Sequence, residues 1–157
     1  MSDNVYLGNP NLKKANTQIE FTEDQILEFL KCKEDPVYFA NNYIKIVSLD
    51  EGLTQFHPYH FQEKLINNFH ENRFNICKMP RQTGKSTTVV SYLLHYAVFN
   101  DSVNIGILAN KAATARELLS RLQTAYENLP KWMQQGIISW NKGSLELENG
   151  SKILAAS

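Results

Sequence analysis

Phe74-Asn75-Ile76-Cys77-Lys78-Met79-Pro80-Arg81-Gln82-Thr83-Gly84-Lys85-Ser86-Thr87 is the stretch on which the fold turns. Phe74–Met79 reads as a strand, residues 80–84 as a loop, and the apolar-rich run from about Lys85 to Phe99 as a long helix. In that setting Gly84 lets the backbone come close to a phosphate. The first N–H groups of the following helix have no intrahelical acceptor and point at an anion. Lys85 can then reach β- and γ-phosphates, and the Ser86 hydroxyl can sit on Mg²⁺. The plainer alternative is an ordinary strand-to-helix turn carrying an exposed lysine.

The stretch departs from the usual pattern G-x-x-x-x-G-K-[ST]. Met79 stands at the first glycine position, and Pro80 stiffens the loop while removing one N–H. Arg81 adds a cation four residues before the lysine. It either leans over a γ-phosphate, where it would stabilise transition-state charge, or pairs with a surface carboxylate. About twenty residues upstream, Gln62 offers an amide donor and acceptor together, which matches an adenine edge. The alternative is a solvated helix-surface glutamine. Phe56, Tyr59 and Phe61 beside it either stack on a base or pack in a core.

Working outward, the pattern after Pro58 alternates helix and strand. A helix from Pro58 shows Phe61, Leu65, Ile66 and Phe69 on one side. Val103–Ala109 predicts a second buried strand, and residues 111–128 an amphipathic helix ended by Pro130, with Leu118, Leu119, Leu122, Ala125 and Tyr126 inward. Leu145–Glu148, Asn149-Gly150 and Lys152–Leu154 read as a hairpin with a type I′ turn. Such an order predicts an α/β fold: part of a phosphate-loop NTPase domain over 57–157, a parallel sheet flanked by helices. A helical segment over 21–56 precedes it. There Thr22 and Gln25 form a capping box, Ile26, Leu27, Phe29 and Leu30 make a helical face, and Asp35-Pro36 restarts a helix. Residues 44–49 form an apolar run and 50–56 a loop. Residues 1–20 are polar, without periodicity, and read as a flexible arm.

Sixteen basic residues balance sixteen acidic ones, which argues against a broad DNA-gripping surface. Cys32 and Cys77 have no metal-type spacing and fit a reducing compartment. His57, His60, His70 and His95 lack partners at zinc spacing and read as structural. No stretch approaches the ~18 consecutive apolar residues of a membrane span. The start carries no basic-then-apolar leader. An intracellular protein without a membrane partner is expected.

Pro80–Ser86 resembles the variant phosphate loop of large terminase subunits, the DNA-packaging motors of tailed bacteriophages, which commonly carry Arg-Gln-x-Gly-Lys-[Ser/Thr]. His57–Gln62 resembles their adenine-recognising glutamine motif. Ile107–Lys111, Leu129-Pro130, Trp140–Ser144 and Leu147–Ser151 resemble the stretches that follow. The likeness spans roughly 20–157 and is strongest to the contractile-tailed type. It implies that Gln62 reads adenine and that Arg81, Gln82, Thr83, Gly84, Lys85, Ser86 and Thr87 hold ATP. It further implies that Ser86 carries Mg²⁺, and that Arg81 and Lys85 act on the transferring phosphate. The partners implied are double-stranded DNA, a portal protein, a small terminase subunit and the rest of the large subunit, in host cytoplasm and transiently at the prohead. Such motors also need an apolar strand ending in Asp-Glu, which holds Mg²⁺ and orients water. No segment here fits that description, and a chain that stops ahead of it is expected not to hydrolyse ATP efficiently alone. Two other readings stand beside this one: a helicase-like phosphate-loop ATPase outside packaging, and a non-enzymatic assembly module.

Overall fold

A computed structural model of the chain describes residues 4–157. Met1–Asp3 of the expected flexible arm lie outside the described residues, and Val5–Lys13 of that arm departs from expectation. Strands β1 (Val5–Tyr6) and β2 (Asn9–Lys13) form an antiparallel hairpin. Leu12 is buried, and its polar neighbours are matched one by one. The Lys13 N–H donates to Gln134 Oε1 at 3.0 Å, Gln134 Nε2 donates to the Asn11 carbonyl at 2.9 Å, and the Ala15 N–H donates to the Ile137 carbonyl at 3.2 Å. These partners lie far away in sequence, so no local window reveals them.

Helix starts follow local chemistry closely. In α1 (Glu23–Glu34) Thr22 Oγ1 accepts the Gln25 N–H at 3.2 Å, while Gln25 Oε1 accepts the Thr22 N–H at 3.1 Å. This is the predicted capping box. In α2 (Pro36–Tyr43) the Asp35 carboxylate accepts from Val37 and Tyr38 at 3.0 and 2.9 Å. The expected apolar face of α1 does not turn inward as a whole. Ile26, Leu27 and Leu30 are exposed, and Cys32 is the residue that α1 buries. Residues 50–56 are not simply a loop. β3 (Lys45–Ser48) and β4 (Gly52–Gln55) pair antiparallel, turned through Gly52 at φ +70°.

After α3 (His60–Glu71) comes the main departure: Phe74–Met79 is not a strand. The run is irregular, with Phe74 83% and Ile76 101% exposed. A strand needs a neighbouring backbone to take its N–H and C=O groups, and none of the described strands lies against this one. The loop then enters α4 (Lys85–Phe99) as predicted.

Beyond it, β5 (Asn104–Leu108), α5 (Ala112–Glu127), β6 (Ile137–Trp140), β7 (Ser144–Leu147) and β8 (Lys152–Ala156) complete the chain. The sheet order is β5-β8-β7-β6. Among these four strands β5 and β8 pair parallel, whereas β8–β7 and β7–β6 pair antiparallel, so the expected parallel sheet is a mixed one. The reason is link length. The short connections β6–β7 and β7–β8 can only reverse the chain, whereas a parallel return needs a long crossover. The second of these links is not the predicted type I′ turn. Gly150 has φ +82°, but Asn149 is not left-handed, and Glu148-Asn149-Gly150 form a three-residue loop between Leu147 and Ser151, which share a 2.9 Å backbone bond.

Helix α5 lies across β5 and β8, burying Leu119, Leu122 and Tyr126 against Ile105, Ile107 and Ile153. α4 packs beside α5 with Val90, Leu94, Ala97 and Val98 inward. The opposite sheet face is uncovered: Leu108 and Leu154 stand exposed on it. Helices on both faces, as expected, are thus not observed among the described residues. Phe29 and Phe39 join α1 and α2 to the end of α4 through edge contacts with Phe99 at 5.0 and 5.3 Å.

Candidate phosphate-binding site

The loop gets its shape from two left-handed residues. Gln82 has φ +60° and Gly84 has φ +71°. At Gly84 a side chain is barred twice over. The backbone angle disfavours one, and a Cβ there would stand 2.5 Å from Gln62 Nε2. Inside the loop, Thr83 Oγ1 donates to the Pro80 carbonyl at 3.0 Å, and Lys85 Nζ donates to the same oxygen at 3.2 Å. Pro80 therefore contributes a carbonyl that closes the loop while lacking an N–H of its own.

Helix α4 begins immediately after Gly84. Its first intrahelical bond runs from the Thr88 N–H to the Gly84 carbonyl at 3.0 Å, and the Thr88 hydroxyl donates to that oxygen at 2.9 Å. The N–H groups of Lys85, Ser86 and Thr87 precede that bond, and no side chain caps them. Gln82, Thr83, Gly84, Lys85, Ser86 and Thr87 line a cavity of about 320 Å³. Among the described residues, its one further lining residue is Arg121 from α5. The lining holds two cations and no carboxylate, which suits a polyanion.

The other expected site residues fall elsewhere. Gln62 is 3% exposed and sits behind the loop rather than in the cavity. Its Oε1 accepts the Tyr59 N–H at 2.8 Å and its Nε2 donates to the Thr83 carbonyl at 3.3 Å. Both ends of the amide are thus engaged by the protein itself. Arg81 is exposed, does not line the cavity, and makes no ion pair among the described residues. Tyr59 and Phe61 are exposed and stack on each other at 6.0 Å, while Phe56 is buried. No group of three or more His, Cys, Asp or Glu among the described residues is arranged to hold a metal.

Arg121 has no sequence signature. It stands 36 positions after Lys85, on a helix of which the sequence marks the two ends and the apolar face. Only the packing of α5 against α4 brings it to the loop.

Residues 76–157 match the family described as terminase large subunit, T4likevirus-type, N-terminal. The chain belongs to that family. The match takes in the loop, α4, β5, α5 and the mixed sheet, so the terminase resemblance is shown over more than half the chain. Gln62 and everything before Ile76 lie outside the matched segment of this terminase chain.

Proposed function

We propose that this terminase chain binds ATP with Mg²⁺ at the loop Arg81–Thr87, and that in the complete large subunit this site powers translocation of double-stranded DNA into a capsid. What supports the reading most is the cavity itself. It pairs the free N–H groups of Lys85–Thr87 with a left-handed Gly84 and a lining without carboxylates.

In this reading the α4 N–H groups and Lys85 Nζ hold the phosphates, with Lys85 leaving the Pro80 carbonyl to do so. Ser86 offers its hydroxyl to Mg²⁺, which when bound neutralises phosphate charge. Gln82, Thr83 and Thr87 shape the cavity wall. Gln62 carries adenine recognition only by turning its amide away from Thr83 or Tyr59. Arg81, free of partners among the described residues, is available to lean over the γ-phosphate. DNA, the portal, the small subunit and the remaining large-subunit polypeptide are the partners of the complete protein, acting in host cytoplasm and at the prohead.

The test is isothermal titration of the chain with Mg·ATP beside Lys85→Ala. Binding in the parent and its loss in the variant, with an unchanged thermal melt, is the expected outcome. Indifference to the substitution would leave an assembly module as the better reading. Steady-state hydrolysis in the same preparations is expected to be negligible.

A further inference from the structure

We infer that Arg121 is a second nucleotide-binding cation of this site, directed at the polyphosphate and held off it by Glu117 when no nucleotide is bound. The inference rests on the reading of the loop as a nucleotide site and adds to it a residue from a different element.

Three observations carry it. Among the described residues, Arg121 is the one that lines the phosphate cavity from outside the segment Gln82–Thr87. It also lines, with Thr87, the adjoining groove of about 500 Å³ between β3, α4 and α5, so its side chain stands where the two spaces meet. And its guanidinium is already committed to a carboxylate: Nη2 lies 2.6 Å from Glu117 Oε1, one helical turn earlier. That pair alone is unremarkable, because i,i+4 pairs decorate many helix surfaces and contribute little. Its position is what distinguishes it. A polyanion in the cavity offers Arg121 several oxygens in place of one carboxylate, and guanidinium engages phosphate oxygens two at a time. The side chain is 49% exposed, so it is free to swing.

The arrangement also balances charge. Lys85 and Arg121 approach the cavity from opposite elements, α4 and α5. A nucleotide gripped by both would tie the two helices together at the loop, a link that Lys85 alone does not make.

The experiment titrates the chain with Mg·ATP, ADP and adenosine, comparing the parent, Arg121→Ala, Arg121→Lys, Glu117→Gln and Lys85→Ala. Circular dichroism and thermal melts confirm that each variant folds. Arg121→Ala is expected to weaken ATP binding about tenfold, the scale of one charge-assisted hydrogen bond. ADP should weaken less and adenosine not at all. Arg121→Lys should recover part of the loss. Glu117→Gln, which releases the arginine, should leave ATP affinity equal to the parent's or tighten it. Equal ATP affinity in the parent and Arg121→Ala, with Lys85→Ala still defective, overturns the inference and leaves the nucleotide reading standing. Equal losses for ATP and adenosine, or a loss in Glu117→Gln matching that in Arg121→Ala, would make the pair structural and overturn it as well. Absence of ATP binding in the parent would remove the nucleotide reading and this inference with it.

Discussion

Two runs in this terminase chain look alike on paper and behave oppositely in space. Asn104–Leu108 alternates its burial, pairs along its whole length with Lys152–Ala156 and lies under α5. Phe74–Met79 has a comparable apolar content, yet it pairs with nothing described and exposes Phe74 and Ile76. The difference teaches that apolar patterning licenses a strand without producing one. Backbone groups must be matched by a second backbone, and side chains by a covering layer.

The largest test of that contrast is to cut into the closed region. Leu119 is fully buried on α5, and Leu119→Ala should cost about 2–5 kcal/mol, read by urea denaturation. A cost below about 1 kcal/mol would mean that the α5 layer is loosely packed, and the contrast would fail from that side.

Acid probes the same layer by another route. His95 sits 2% exposed on α4, with Nε2 2.8 Å from the Cys32 carbonyl and Nδ1 without a hydrogen bond among the described residues. Burial pulls its pKa down from 6.5 to about 4. The unfolded chain therefore takes up a proton first as pH falls, and the folded one only near pH 4. Stability is complete above about pH 6.5 and declines as pH drops towards 4, by up to about 3 kcal/mol. Melting temperature against pH should show the slope, and His95→Phe should flatten it over that window. A profile unchanged by the substitution would assign the acid sensitivity to other groups.

Within the loop, Gly84→Ala should cost about 1–2 kcal/mol from its left-handed backbone, together with the clash against Gln62. Urea denaturation reads the cost, and hydrogen exchange is expected to quicken at Thr83–Thr87 before anywhere in the sheet. The smallest effect falls on the open run. Ile76→Ala should shift stability by less than about 0.5 kcal/mol, and amides 74–79 should exchange much faster than those of β5 and β8. A cost of 2 kcal/mol there would show that the run is packed after all, and the comparison would dissolve.

These cases also mark how far the chain could be read as text. The capping pairs at Thr22 and Asp35, the start of α4 at Gly84-Lys85, and the inward face of α5 are local. Their partners sit within four residues, so spacing suffices. The N-terminal hairpin was opaque because Gln134 and Glu148 satisfy it from the other end of the chain. The sheet's mixed direction followed from links whose shortness was visible at Asn149-Gly150, though the turn geometry was not. In the site, the loop itself was legible from Gly84-Lys85-Ser86. What Gln62 touches was not, because an amide with two good partners in the protein is spelled the same as a solvated one. Arg121 was hidden for the same reason: a cation's address depends on which helix packs where.

Asn149 gives the molecule a mechanical property. Its Nδ2 donates to the Ala97 and Asn100 carbonyls at 2.9 and 3.2 Å, and Ser151 Oγ donates to the Asn100 carbonyl at 2.8 Å. These bonds bolt the far end of α4 to the β7–β8 turn, while the near end is the loop. A fifteen-residue helix is a rod about 22 Å long. Pinned to the β7–β8 turn at one end and carrying the uncapped N–H groups of the candidate site at the other, it stands as a strut between that site and the sheet.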